Sequence, residues 1–284
     1  MPGPSFTPIR YSSILFPTDF GPGSEVAFAH ALRLALHNRS RLTLLHAGGR
    51  AANPDWKQFP GVRAMLERWG LLEPGAGRNE VGTRLGVEVE KVTIRGRGIV
   101  NSILDFMDDH RVDLLVLATA GNEGLDRLFQ GSVAEPLSRQ SVVTTLFVPN
   151  GARAWVSAEN GTVTANRILV PMAHRPSPEV AVDAAMTMLT GFGEGKSALT
   201  LFHVGDEASM PGINAPLDGP WAVERYARPG DVSHEIVMAA DDYQSDVVVM
   251  STEGRQGFRD AVGGSMTERV IRRSPCPVMA VPAE

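Results

Sequence analysis

Val112–Gly121 reads VDLLVLATAG, and Ser245–Gly254 reads SDVVVMSTEG. The two stretches stand 133 residues apart and share one pattern. An aspartate is followed by four apolar residues, a small residue, a threonine and, two positions on, a glycine. Four apolar side chains in a row are too few for a helix. They fit a strand buried on both faces, as a parallel sheet requires. The same spacing continues without a gap beyond the strands. Gly131 and Gly264 correspond, as do Ser132 and Ser265, Glu135 and Glu268, Arg139 and Arg272, and Pro149 and Pro282. The chain is therefore written twice.

Two further matches lie upstream. ILFPTDF at Ile14 resembles ILVPMAH at Ile168, and RLTLLHAG at Arg41 resembles ALTLFHVG at Ala198. The offset falls from 157 there to 133 at Val112, so the second copy is 24 residues shorter between its second and third strands. Strands are expected at Ile14–Pro17, Leu42–Ala47, Val87–Ile94, Leu114–Ala118 and Val142–Val148. Their counterparts are at Ile168, Ala198–Val204, Ala222–Arg228, Val247–Met250 and Pro277–Val281. Helical spacing marks Ser24–His37, Ile99–His110 and Asp231–Tyr243, and a final helix follows each Gly-Ser. In the second copy, Ser177 is the expected N-cap, with Pro178 at the first helical position. Alternating strands and helices give an α/β fold of two tandem doubly wound domains, each with a mostly parallel five-stranded sheet. The expected divisions are residues 10–150, a connector at 151–165, and residues 166–284. Trp155 and Val156 imply that part of the connector packs down.

Bulk properties narrow the function. Of the 284 residues, 43% are hydrophobic and 21% charged, enough to bury a sizeable core. The formal net charge of −5 argues against a nucleic-acid partner. No apolar run is long enough to span a membrane. The opening MPGPSFTPIRYSS has no apolar centre and reads as a tail rather than a secretion signal. A single cysteine, Cys276, excludes an internal disulfide and fits a reducing cytoplasm.

In an open parallel sheet, ligands sit at the carboxyl ends of strands, where strand order reverses. Gly121 leaves such an end, and Gly131-Ser132 opens the next helix. Backbone N–H groups, the helix dipole and a serine hydroxyl there form a natural anion site. Gly-Ser at a helix start also serves simple architecture, and both readings stay open at this point. A Walker-type P-loop is absent, and RGRGIVN at Arg95 lacks the third glycine of a dinucleotide fingerprint.

These motifs together resemble the universal stress protein family, in its tandem two-domain form. The resemblance covers about Ser12–Pro149 and Asn166–Pro282. It implies an adenine nucleotide alpha hydrolase-like fold and ATP binding, with or without Mg2+; the family also has members that bind no nucleotide. Carried over, Asp19 is the aspartate that would take ribose hydroxyls. Thr18 and Ala47 would line the adenine pocket. Ala118 stands at the first glycine of the family's pattern, and Gly121, Gly131, Ser132 and the N–H of Val133 would hold phosphates. Glu123 departs from the pattern by placing an acid in the loop. In the second copy Gly254, Arg255, Gly264 and Ser265 form the better loop, yet Ala173 replaces the aspartate and Ser251 the first glycine. The expected working site is therefore in the first copy; the second is degenerate or takes phosphate alone.

No catalytic set is legible, and no metal site. His46 and His203 end the second strands at matching positions, which points to shared architecture rather than metal ligation. Adjacent carboxylates Asp108-Asp109 and Asp241-Asp242 point to different sides of their helices. Three readings remain: a stress-response regulator binding an adenine nucleotide, a ligand-free assembly module of the same fold, and a slow ATPase. The last strands are edges that invite pairing, between the two copies or in a homodimer.

Overall fold

The computed structural model describes residues 6–21, 24–48, 56–57, 59, 61–95, 98–119, 143–253 and 266–283. In chain order the first half contains β1 (Ser13–Pro17), α1 (Ser24–Asn38), β2 (Arg41–Gly48), α2 (Val62–Arg68), α3 (Arg78–Leu85), β3 (Glu88–Arg95), α4 (Ile99–His110), β4 (Leu114–Thr119) and β5 (Thr144–Pro149). The second half contains β6 (Arg167–Met172), α5 (Glu179–Phe192), β7 (Ser197–Val204), β8 (Trp221–Arg228), α6 (Val232–Asp242), β9 (Val247–Thr252), α7 (Met266–Arg273) and β10 (Val278–Pro282). Among the described residues, no helix is long and apolar enough to cross a membrane.

Local chemistry sets several of these bounds. α4 buries Ile103, Phe106 and Met107, one face at i, i+3 and i+4. It ends where Arg111 turns left-handed. α6 is capped by Asp231, whose Oδ1 accepts from His234 N at 3.0 Å. At α5 the expected cap moves by one residue. Pro178 already has helical dihedrals, and its carbonyl accepts from Val182 N. Ser177 Oγ sits 3.5 Å from Glu179 N, too far for a good cap.

The strands form one ten-stranded sheet in the order β3-β2-β1-β4-β5-β10-β9-β6-β7-β8. Pairing is parallel throughout except between β5 and β10, which run antiparallel with Phe147 opposite Val278 and Leu146 opposite Met279. Two doubly wound arrays are thus fused edge to edge, and the last strands become the centre of the sheet. Its free edges are β3 and β8. Glu88, Glu90 and Lys91 on one, and Glu224, Arg225 and Arg228 on the other, are charges of the kind that discourage further pairing.

Helices α1 and α5 cover one face of the sheet, and α4, α6 and α7 the other. Strand residues 114–117 and 247–252 are buried, as their apolar runs require. The connector is part of the core. Trp155 is 1% exposed and packs on Phe192 of α5, with ring centroids 5.3 Å apart. Val156 and Val163 form an antiparallel bridge, and Trp69 Nε1 donates to Ala158 O at 3.2 Å. Arg153 ties it to the second half through Asp241 at 2.8 Å and Ala240 O at 2.9 Å. The extra length of the first copy forms α2 and α3; the second has only a 3-10 turn at Glu207–Ser209.

The repeat extends to side chains. Asp113 Oδ2 accepts from the amides of Ser12 and Ser13, at 2.7 and 3.0 Å. Asp246 Oδ2 accepts from those of Asn166 and Arg167, both at 2.8 Å. Each aspartate fastens the start of its half's first strand to the fourth.

Candidate functional site

A crevice opens in the first half where strand order reverses between β1 and β4. The two strands pair only at Ile14–Leu114 and Leu15–Leu115, then part. Ligands of open α/β sheets occupy this place. β1 delivers Thr18 and Asp19 to it, β2 delivers His46 and Ala47, and β4 delivers Ala118 and Thr119.

Asp19 is exposed and held in a tight turn. Its Oδ1 accepts from Gly21 N at 2.8 Å and lies 3.4 Å from Ser24 Oγ, at the head of α1. Its Oδ2 has no hydrogen-bond donor among the described residues. Gly21 makes this geometry available: a Cβ there would lie 2.9 Å from Oδ1. The carboxylate also faces the positive end of the α1 dipole.

Thr18 is buried and fully hydrogen-bonded. Its N–H donates to Leu45 O at 2.8 Å, and its Oγ1 accepts from Phe20 N at 3.0 Å and donates toward Ser24 Oγ. Its carbonyl meets His46 Nδ1 at 2.9 Å. These bonds fix Thr18 at the end of β1, beside Asp19. Ala47 is half-buried and packs on the α4 side of the sheet, with Ile94 opposite it on β3. Ala118 is half-buried beside Val148. The Oγ1 of Thr119 is buried without a partner among the described residues. Gly121, Glu123, Gly131, Ser132, Val133, Gly254, Arg255, Gly264 and Ser265 lie outside the described residues.

An aromatic group missed in the sequence borders the crevice. Phe20 has φ +65°, unusual for a bulky residue, and stacks on His46 with centroids 4.7 Å apart. Trp56 and Phe59 meet Phe20 edge-on, at 5.2 and 6.0 Å, and Lys91 Nζ lies over the Trp56 ring at 5.2 Å. Only the Asp-x-Gly spacing of Asp19 and Gly21 could have signalled the turn that presents Phe20.

His46 and His203 have the shared role their positions suggest. His203 Nδ1 meets Met172 O at 2.8 Å, as His46 meets Thr18 O. Each imidazole clamps the second strand of its half to the end of the first. Asp241 and Asp242 likewise take different partners, Arg153 and Arg228.

Residues 10–149 and 219–282 match the model of the universal stress protein family. The chain belongs to that family. The matched segments leave out β6 and β7. A universal stress protein of Methanocaldococcus jannaschii is 40% identical over 52 residues, 18% of this chain and 31% of that one. One from Synechocystis is 39% identical over 61 residues, 22% of this chain and 39% of that one. The matches thus span well under half of those relatives. The crystal structure of a universal stress protein from Archaeoglobus fulgidus superposes with a TM-score of 0.62 at 18% identity, over 95% of this chain and 98% of that one. That likeness shows a common fold over 95% of the chain.

Proposed function

We propose that this universal stress protein is a cytoplasmic regulatory protein that binds ATP, with or without Mg2+, in a first domain of residues 10–150. Residues 151–165 join it to a second domain, 166–284, which keeps no ribose-binding carboxylate. The observation that carries this reading is Asp19. It stands at the reversal point with one oxygen tethered by Gly21 N at 2.8 Å and the other open to accept ribose hydroxyls. The divergence of β1 from β4 beside it leaves room for a nucleoside, and Phe20 and Trp56 offer aromatic surface for a base. In this reading Gly121, Gly131, Ser132 and the N–H of Val133 hold the phosphates, and binding alters a surface that partners recognise, without substantial turnover. The pairing of β5 with β10 supplies within one chain the assembly that two single domains would make.

Calorimetric titration with ATP tests it. Saturable binding is expected, weakened roughly tenfold to a hundredfold by Asp19→Ala, the loss of a hydrogen bond to a charged group. Gly131→Val should weaken it as well. No heat and no thermal stabilisation at about 1 mM ATP, which corresponds to negligible affinity, would overturn the proposal.

A further inference from the structure

The second half has its own crevice where β6 and β9 part, paired only at Ile168–Val247 and Leu169–Val248. Its described walls line a partly open cavity of about 170 Å3. Met172, Phe202, Val204, Val232, Ile236 and Met250 supply most of the lining, with Met266 at the head of α7. No Asp, Glu, Lys or Arg lines it among the described residues. Ala173 stands where sequence correspondence would place a carboxylate. Both histidines at its rim are hydrogen-bonded. His203 is bonded to Met172 O at 2.8 Å and Ser209 Oγ at 3.0 Å, and His174 Nε2 to Ser209 O at 3.0 Å. Ser251 also lines it, and its Oγ is buried without a partner among the described residues.

An anion placed here would lose its water and meet no countercharge in the described wall, which is costly. An apolar molecule gives up no strong hydration by entering. Cavities of about 150 Å3 hold one aromatic ring. Three methionines give walls that adapt to the shape of their contents. We propose that this cavity is a binding site for a compact, uncharged, mostly apolar molecule of about one ring carrying a single hydrogen-bonding group. The two halves of the chain then sense different chemistry through one continuous sheet. The inference is independent of nucleotide binding in the first half.

The test uses the full chain and 4-fluorophenol as probe, followed by 19F line broadening. Saturable broadening is expected, unchanged by ATP. Ala173→Leu and Val232→Trp, which fill the cavity from its rim, should each weaken the probe about tenfold or more. Both positions are partly exposed, so the variants should melt like the parent. Absence of broadening, equal broadening in both variants, or displacement of the probe by ATP would each overturn the proposal. A failure of ATP binding in the first half would leave the 19F result untouched.

Discussion

Acid should unfold this protein through one histidine. His30 lies in the middle of α1 and is fully buried. Its Nδ1 donates to Val26 O at 2.7 Å, and its ring stands edge-on to Trp155 at 4.8 Å. With the proton on Nδ1, Nε2 is a bare acceptor buried without a partner. Burial pushes the imidazole pKa down to about 4, against 6.5 when exposed. The folded pKa is the lower one, so the unfolded chain takes up the proton first. The contribution of neutral His30 is complete above pH 6.5 and is lost as pH falls toward 4. The loss is about 2 kcal/mol between pH 7 and pH 5 and about 3 kcal/mol in full. That is a large part of the stability of an ordinary domain. His37 adds to the effect, since burial and the nearby Arg10 and Arg33 lower its pKa too. Asp183 and Asp246 oppose it, because burial raises theirs. Urea unfolding of the parent and of His30→Leu across this pH range isolates His30, since the other groups are common to both. The parent should lose about 2 kcal/mol more than the variant between pH 7 and pH 5. Equal slopes, or an NMR titration of native His30 near pH 6.5, would refute the reasoning.

Other consequences are as direct. Trp155→Ala should cost about 3–5 kcal/mol by denaturant unfolding, the usual penalty for emptying a buried aromatic site; a cost under about 1 kcal/mol would mean the connector is not core. Gly161→Ala should lower the melting temperature, since its φ is +71° and the new Cβ would lie 2.5 Å from Trp69 Cδ2. Asp246→Ala frees the amides of Asn166 and Arg167 and should cost about 1–3 kcal/mol, checked by urea unfolding. Burial pushes the Cys276 thiol up to about 12, so native protein at pH 8 should resist thiol reagents such as Ellman's, and react once unfolded in urea.

The sequence by itself settled the duplication, the strand–helix alternation and the parallel sheet. Those features are local: runs of four apolar residues, helical spacing, and one offset kept from Val112 to Pro282. Its resemblance to the universal stress protein family also marked Asp19, at the end of the first strand. Tertiary structure decided what depends on meetings between distant residues. It joined β5 to β10, turning two edges into the centre of one sheet. It packed Trp155 between α1 and α5, tied Thr18 to Leu45 of β2 and to Phe20, and brought Phe20 against His46 and Trp56. The cavity of the second half had no signal at all, since its walls come from β6, β7, α6, β9 and α7. Apolar residues look alike in sequence whether they fill a core or leave a space within it. Only the distances between them tell the two apart.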